Sequence, residues 1–298
     1  MKHSIKISKP YNPLHKLASS ILRKALFKYR DAHYEKGLPI LTGLINEYIS
    51  IDIMVDGVYD INTLENSVLL LNSDLIDFDF DTLIDIGANI GNHSIYLSKY
   101  FNRVISFEPN PFTYELLKLN ASLVNNIEHF NIGLSSKPSS LFISEDPRNL
   151  GGSQVYESEE AIPAGLRSRN VTVKKLDDLD LGECGKSVLI KIDIEGHELD
   201  ALRGAAQFIT YHKPVIFFEQ HLNDFVDMGS PVLDFLGDYN YEFFLFKSRY
   251  DNIRPSFIKP ILKLIFGDFY SFEKIDNFEP DFYDSIIAIN KNALINKI

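Results

Sequence analysis

From residue 82 onward, short apolar runs alternate with segments whose apolar residues recur at helical spacing. TLIDI (82–86), RVISFE (103–108), IEHFNI (127–132), SVLIKIDI (187–194) and PVIFFEQ (214–220) read as strands, the first a short buried one. Between them, about Asn92 to Phe101, the stretch PFTYELLKLNASLV, about Glu198 to Ile209 and a region near Val232 read as helices. YEFFLFK (241–247) and SIIAIN (285–290) add later strands. Apolar strands alternating with helices predict an α/β fold: a doubly wound, mostly parallel sheet covered on both faces. Ligands of such sheets bind beyond the carboxyl ends of the strands, where the strand order reverses. Chemistry is therefore sought at the strand ends.

The remaining segments are less regular. LHKLASSILRKALFKYR, from Leu14 to Arg30, places Leu17, Ile21, Leu22, Ala25 and Leu26 on one helical stripe with a basic back. Two readings follow: contact with an anionic membrane or partner, or a helix packed on the domain with its basic side in water. Residues 1–50 are taken as an N-terminal helical extension and 51–298 as the main domain. Residues 45 to 80 read as short strands and a helix, with Gly57 at a turn. Residues 135 to 170 are rich in Gly, Ser, Pro and charge, interrupted by one hairpin strand at SLFIS. Within them, Leu150-Gly151-Gly152-Ser153 reads either as a lid over an acceptor, with Gly152 and Ser153 against it, or as a plain flexible turn.

Composition narrows the class. Among 298 residues, 45% are hydrophobic and 12% aromatic, ample for a packed core. The net charge of −11 argues against non-specific nucleic-acid binding, which needs a basic face. That charge is uneven: the first thirty residues hold eight Lys or Arg and no Asp or Glu, leaving −19 for the rest. Cys184 is the only cysteine, so one chain holds neither a disulfide nor a cysteine zinc site. No run of about 18 apolar residues predicts a transmembrane helix. The N-terminus lacks the apolar region of a secretory signal, and a cytoplasmic setting is expected.

The glycine loop decides the ligand class. Gly87-Ala88-Asn89-Ile90-Gly91 has three residues between its glycines, unlike the G-x-G-x-x-G dinucleotide fingerprint, and Asp85 stands two residues before it. A pyrophosphate at the following helix would be favoured by the helix dipole and opposed by that carboxylate. The conflict disappears for a phosphate-free, cationic nucleoside, and S-adenosylmethionine fits. Gly87 and Gly91 then permit close backbone approach. Glu108 ends the second strand 21 residues after Gly87, where an acid takes ribose hydroxyls in nucleotide-binding sheets. Asn131 and Gly133, after the third strand, read either as adenine contacts or as a strand-ending turn.

These residues resemble the FkbM-like family of S-adenosylmethionine-dependent methyltransferases. Three motifs carry the resemblance: Asp85-Ile86-Gly87-Ala88-Asn89-Ile90-Gly91, then Phe107-Glu108-Pro109-Asn110-Pro111, then Lys191-Ile192-Asp193-Ile194-Glu195-Gly196-His197-Glu198. The likeness covers roughly residues 55 to 290. It implies a class I methyltransferase-like Rossmann fold, Asn89 and Asn110 within the cofactor-binding set, and O-methylation of a sugar, glycan or secondary-metabolite hydroxyl. The N-terminal fifty residues and residues 144 to 170 match nothing in the family pattern.

Asp193 closes an apolar strand at the cofactor edge, and a carboxylate there needs a reason. An alcohol acceptor is a poor nucleophile that a general base assists. Asp193 is the first candidate, with Glu195 and His197 next; His197 also reads as a packed or capping histidine. Glu198 reads as an acid in the following helix's first turn, where it suits the dipole, and Asp200 as a surface residue. Glu219 and His221 share one side of the fifth strand's end and face the acceptor in this reading. Asp193, His197, Glu219 and His221 have the chemistry for a divalent metal but no dedicated ligand spacing, and no metal is assigned. Two other classes stay open: a nicotinamide-dependent oxidoreductase on a similar sheet, and a non-catalytic interaction module.

Overall fold

The computed structural model describes residues 13–44, 48–146, 152–226, 229–250, 253, 258–267 and 269–295. The strands β1 (Thr82–Ile86), β2 (Arg103–Phe107), β3 (Ile127–Phe130), β8 (Val188–Ile192) and β9 (Val215–Gln220) form where the apolar runs predict them. They pair in parallel in the order β3-β2-β1-β8-β9. The sheet continues through β12 (Tyr283–Asn290), β10 (Tyr241–Ser248) and β11 (Tyr270–Lys274) to eight strands. β12 runs antiparallel to both β9 and β10, and β11 antiparallel to β10. This is the mostly parallel, class I methyltransferase-like sheet, with its order reversing between β1 and β8.

Strand alternation sends side chains to two cores. Ile84, Ile86, Ile105, Phe107, Ile190, Ile192, Ile216 and Phe218 pack on one face with Ala201, Leu202, Ile209 and Leu236. Leu83, Val104, Leu189, Val215 and Phe217 pack on the other with Leu64, Val68, Leu71, Tyr96 and Leu97. Each large side chain fully buried this way contributes about 1.5–3 kcal/mol relative to exposure. The helices involved are α3 (Ile61–Leu71), α4 (Asn92–Leu97), α6 (Glu198–Arg203), α7 (Ala206–His212) and α8 (Pro231–Asp238), and α5 (Pro111–Ala121) lies against β3. α5 starts cleanly because Asn110 caps it, its side chain accepting from Phe112 N at 2.9 Å, and Pro111 needs no hydrogen-bonded N–H.

Three segments differ from the expectation. Residues 45–80 were expected to hold short strands; their described part instead forms α2 (Tyr48–Asp56) and α3, without a strand. Leu64, Val68 and Leu71 recur at three or four residues and bury against the sheet, so helical period wins. Residues 133–174 form a second sheet rather than one hairpin strand in a loop: β4 (Gly133–Leu134), β5 (Ser139–Glu145), β6 (Val155–Tyr156) and β7 (Arg167–Lys174), ordered β4-β7-β5-β6. Two of these strands are two residues long, too short to show a period. The helix expected over 198–209 breaks at Gly204, where an added Cβ would lie 2.1 Å from Ser135 O. The chain turns there because two backbones meet.

At the N-terminus, α1 (Pro13–Glu35) packs on α2, but Leu17, Ile21 and Leu22 stay about 60% exposed. No helix among the described residues is long and apolar enough to cross a membrane. α9 (Lys259–Phe266) links β10 to β11.

Candidate active site at the carboxyl edge of the sheet

Beyond the ends of β1, β2, β8 and β9, at the reversal of strand order, lies a cavity of about 280 Å³. Its floor is the strand-end backbone at Ile86 and Gly87, with Glu108, Asp193 and Glu219 around it. The second sheet supplies an apolar wall through Ile143, Val155, Val171 and Val173, and Tyr48 and Ile49 of α2 approach from outside. Gly87 adopts φ +80, and a Cβ there would sit 2.0 Å from Asp193 O. The glycine is required by the approach of β8, as well as by its backbone angle.

The sequence-predicted residues divide into two groups. Gly87, Asn89, Glu108, Gly133, Gly152, Ser153, Asp193, Glu195, His197 and Glu219 line the cavity. Asp85, Gly91, Asn110, Asn131 and His221 stand behind it and act on its walls. Leu150 and Gly151 of the expected lid lie outside the described residues.

Asp85 is the instructive case. The register sets it beside Ser106 on β2 and Lys191 on β8. It is wholly buried, accepts from Ser94 Oγ, and meets the Lys191 ammonium at 3.5 Å. Its charge is therefore answered inside the protein and does not face the ligand. Lys191, which sequence reasoning missed as a site residue, also lies 3.2 Å from Asp193 Oδ2 and 3.3 Å from Gly87 O. One ammonium thus ties the glycine loop to the end of β8. A lysine inside an apolar strand opposite an aspartate in register was the available signal.

Glu108 binds the glycine loop from within the cavity wall. Its Oε2 accepts from Asn89 N at 2.9 Å and its Oε1 from Asn110 N at 2.8 Å, fastening the loop to the end of β2. Each oxygen keeps a second acceptor site for a ligand hydroxyl. Asn131 braces the same corner, donating to Glu108 O at 2.9 Å. Gly91, at φ +90, opens α4.

The segment after β8 turns through Glu195 (φ 54) and Gly196 (φ 94) in the left-handed region. Such an angle at a non-glycine residue is strained and needs outside support. Glu198 provides it: buried rather than dipole-facing at the surface, its Oε1 accepts from Ile194 N at 3.3 Å and Gly196 N at 3.1 Å. His221 Nε2 lies 3.2 Å from Glu195 Oε2, and His197 Nε2 pairs with Ser135 Oγ at 3.0 Å.

Electrostatics separate the carboxyls. Burial pushes Glu219 up to about 9, helped by the neighbouring Asp193, so it holds a proton at neutral pH and hydrogen-bonds Asp193. For Asp193, burial acts upward, but the Lys191 ammonium and the Glu219 hydrogen bond prevail and hold it below its ordinary range. Burial raises Glu195, Asp193 adds to this, and His221 opposes it. Burial keeps His197 below its ordinary value, hence neutral. Two adjacent carboxyls in opposite states are an acid–base arrangement.

A stability prediction follows from Glu219. The unfolded chain releases this proton near the ordinary 4.5, whereas the folded protein keeps it to about 9. Folding then takes up a proton, so this group's contribution falls as pH rises from about 4.5 to about 9. Glu219→Gln keeps a donor to Asp193 and removes the titration. Its thermal midpoint is expected to decline less steeply over that window than the parent's, measured by circular dichroism. Parallel curves would show that Glu219 does not hold the proton.

Residues 85–243 match the family described as the methyltransferase FkbM domain, just over half of the chain. The chain belongs to the FkbM methyltransferase family. This FkbM-family chain is 32% identical over 125 residues to the hexuronic acid methyltransferase AglP of Haloferax volcanii, covering 42% of the chain and 49% of that protein. It is 28% identical over 179 residues to methyltransferase 1 of Beauveria bassiana, covering 53% and 66% respectively. A solved FkbM methyltransferase from Methylobacillus flagellatus matches at 25% identity and a TM-score of 0.34, over 49% of this chain and 34% of that one. The matched stretch thus spans about half to two thirds of these curated relatives' length.

The family's cofactor is S-adenosylmethionine, and the residues present fit it. The Gly87 cradle is one that a Cβ would fill, and Asn89 Oδ1 is buried with no hydrogen-bond partner among the described residues. That orphaned acceptor suits a ligand N–H or O–H donor. Glu108 has acceptor sites for ribose hydroxyls, and the Ile143, Val171 and Val173 wall suits a flat base. Among the described residues, no group of three or more His, Cys, Asp or Glu is arranged to hold a metal ion.

Proposed function

We propose that this chain transfers a methyl group to the hydroxyl oxygen of a small-molecule or sugar acceptor. The observation that carries the reading is Asp193: an ionised carboxylate at the cofactor cavity, held in place by Lys191 and a protonated Glu219. The similarity to a hexuronic acid methyltransferase supports an oxygen acceptor on a sugar-like molecule.

When bound, S-adenosylmethionine supplies an electrophilic methyl on sulfur, whose transfer forms the product C–O bond and breaks C–S, the electron pair leaving with sulfur. The chain's part is positioning and proton management. Asn89, Gly87 and Glu108 hold the nucleoside, while Asp193 accepts a hydrogen bond from the acceptor hydroxyl and takes its proton. A carboxylate of low basicity suffices, because an alcohol oxygen becomes strongly acidic as it gains the methyl. Orientation of reacting atoms contributes several further kcal/mol.

Two substitutions separate these roles. Glu108→Ala is expected to weaken S-adenosylhomocysteine binding by about 10- to 100-fold, from loss of the carboxyl's hydrogen bonds to the ligand and to the Asn89 loop; burial raises this carboxyl to about 7. Asp193→Asn is expected to lower turnover by about 10²-fold or more with a smaller change in cofactor affinity. Calorimetry and methylation rates measure the two. Absence of S-adenosylhomocysteine binding to the parent chain overturns the reading, and full activity of Asp193→Asn overturns the assignment of the proton acceptor. A cytoplasmic setting, with α1 touching an anionic surface through Leu17, Ile21 and Leu22, belongs to the same proposal. Liposome flotation with and without residues 1–30 tests that contact.

A further inference from the structure

Tyr48, Ile49 and Tyr59 line the cofactor cavity, yet they lie well before residues 85–243, the stretch that matches the family. Tyr48 and Ile49 open α2, and Tyr59 follows it. A helix outside the matched stretch needs something that fixes it against the cavity. Two buried asparagines do so, one holding the chain before α2 and one after it.

Asn120, in α5, is wholly buried. Its Oδ1 accepts from Thr42 N at 2.7 Å, and its Nδ2 donates to Thr42 O at 2.9 Å. The side-chain amide thus pairs with one residue's backbone as a neighbouring strand would. The other N–H of the same nitrogen donates to Ile90 O at 2.8 Å, inside the glycine loop. Asn92, directly after Gly91 of that loop, repeats the arrangement. It accepts from Tyr59 N at 3.0 Å and donates to Tyr59 O at 2.9 Å. Thr42 and Tyr59 bracket α2, so both flanks of the helix are fastened to the loop that receives the cofactor. Gly43 also meets α2 directly: a Cβ there would lie 2.3 Å from Ser50 Oγ and 3.7 Å from Ile90 Cδ1. Ser50, buried in α2, therefore seats the helix on Gly43 beside Ile90. Tyr48 contrasts with these contacts, for it is 63% exposed although it lines the cavity. Packing within the chain leaves most of its surface uncovered, and a ligand in the cavity would cover the part that lines it.

We propose that α2 is an outer clamp on S-adenosylmethionine, in which Tyr48 and Ile49 touch the cofactor while Asn92 and Asn120 are positioning residues that hold the helix in place. The inference rests on the methyltransferase reading and deepens it. A buried amide with both N–H groups satisfied, as in Asn120, is a stiff connection. It couples the place of the clamp to that of the glycine loop. An aromatic ring and an aliphatic side chain laid over the cofactor exclude water from it. They slow its release, while the rate of encounter changes little.

The test uses the full chain and S-adenosylhomocysteine, with affinity read by calorimetry and release by surface plasmon resonance. Tyr48→Ala, at an exposed position, is expected to keep the parent's thermal midpoint and to weaken binding about tenfold through faster release. Tyr48→Phe, which keeps the ring, is expected to bind within about twofold of the parent. Asn120→Ala is expected to weaken binding by about tenfold as well, and because it acts through the clamp, adding Tyr48→Ala to it costs less than about threefold more. Hydrogen-exchange mass spectrometry is expected to show S-adenosylhomocysteine slowing the α2 amides in the parent and not in Asn120→Ala. Parent-like affinity of Tyr48→Ala, or α2 exchange in the parent that the ligand does not move, overturns the clamp. Full additivity of the two substitutions overturns the positioning role of Asn120. Should Asn120→Ala not fold, Asn92→Ala takes its place in the same cycle, with the same outcomes. Failure of the parent to bind S-adenosylhomocysteine is a separate result and overturns the methyltransferase reading itself.

Discussion

Lys191→Met is expected to destabilise the fold by about 3–5 kcal/mol, the loss found when one partner of a buried ion pair is removed. The reason is the company Lys191 keeps. Its ammonium, only 15% exposed, lies 3.5 Å from Asp85 Oδ1, 3.2 Å from Asp193 Oδ2 and 3.3 Å from Gly87 O. Methionine fills much of the same volume, so packing changes little and the electrostatic loss is isolated. Asp85, wholly buried, is left with Ser94 alone, and Asp193 loses the charge that keeps it ionised. The chain has no tryptophan, so urea unfolding is best followed by far-ultraviolet circular dichroism. Asp85→Asn in the Lys191→Met background is expected to recover a large part of the loss, because it removes the stranded charge. A single variant within 1 kcal/mol of the parent, on the order of measurement scatter, would show that Lys191 does not compensate these carboxylates.

Gly87→Ala is expected to abolish useful cofactor binding, lowering S-adenosylhomocysteine affinity by about 100-fold or more. The new Cβ would lie 2.0 Å from Asp193 O and 2.8 Å from Ile194 Cγ2. The loop has no room to shift, since Gly87 N and Ala88 N both donate to Phe107 O at 3.0 Å on the opposite side. Overpacking costs about 1–3 kcal/mol, and each 1.4 kcal/mol or so is tenfold in affinity. Positive φ adds about 1–2 kcal/mol for a residue with a side chain. Gly91→Ala makes the control: its φ is +90, but its Cβ meets Leu117 Cδ1, the movable end of a side chain, and Gly91 is off the cavity wall. Calorimetry on both variants should show the larger affinity loss for Gly87→Ala. The reverse order would mean that β8 yields to the loop.

The sheet strands were legible because their apolar runs are continuous and their neighbours are helical. Leu83, Ile84, Val104, Ile105, Leu189 and Ile190 are all fully or almost fully buried. The second sheet was not legible, since β4 and β6 have two residues each and exist only through pairing with β5 and β7. Tyr59 was hidden for a similar reason: nothing local marks a loop tyrosine as lining the cavity.

By itself, the chain of residues determined the strand ends and the chemistry placed on them: Gly87, Asn89, Glu108, Asp193 and Glu219 all reach one cavity, as their positions after apolar runs predict. Strand periodicity is a local property, and burial at the sheet's centre enforces it. Only the tertiary structure decided which carboxylates see a ligand and which are spent inside. Asp85 looked like a ligand-facing acid until register set it between Ser106 and Lys191, and the proton that burial beside Asp193 keeps on Glu219 has no mark in the sequence. Charge state and partner choice depend on distances of a few ångströms between strands far apart in sequence, and those distances exist only once the sheet is formed.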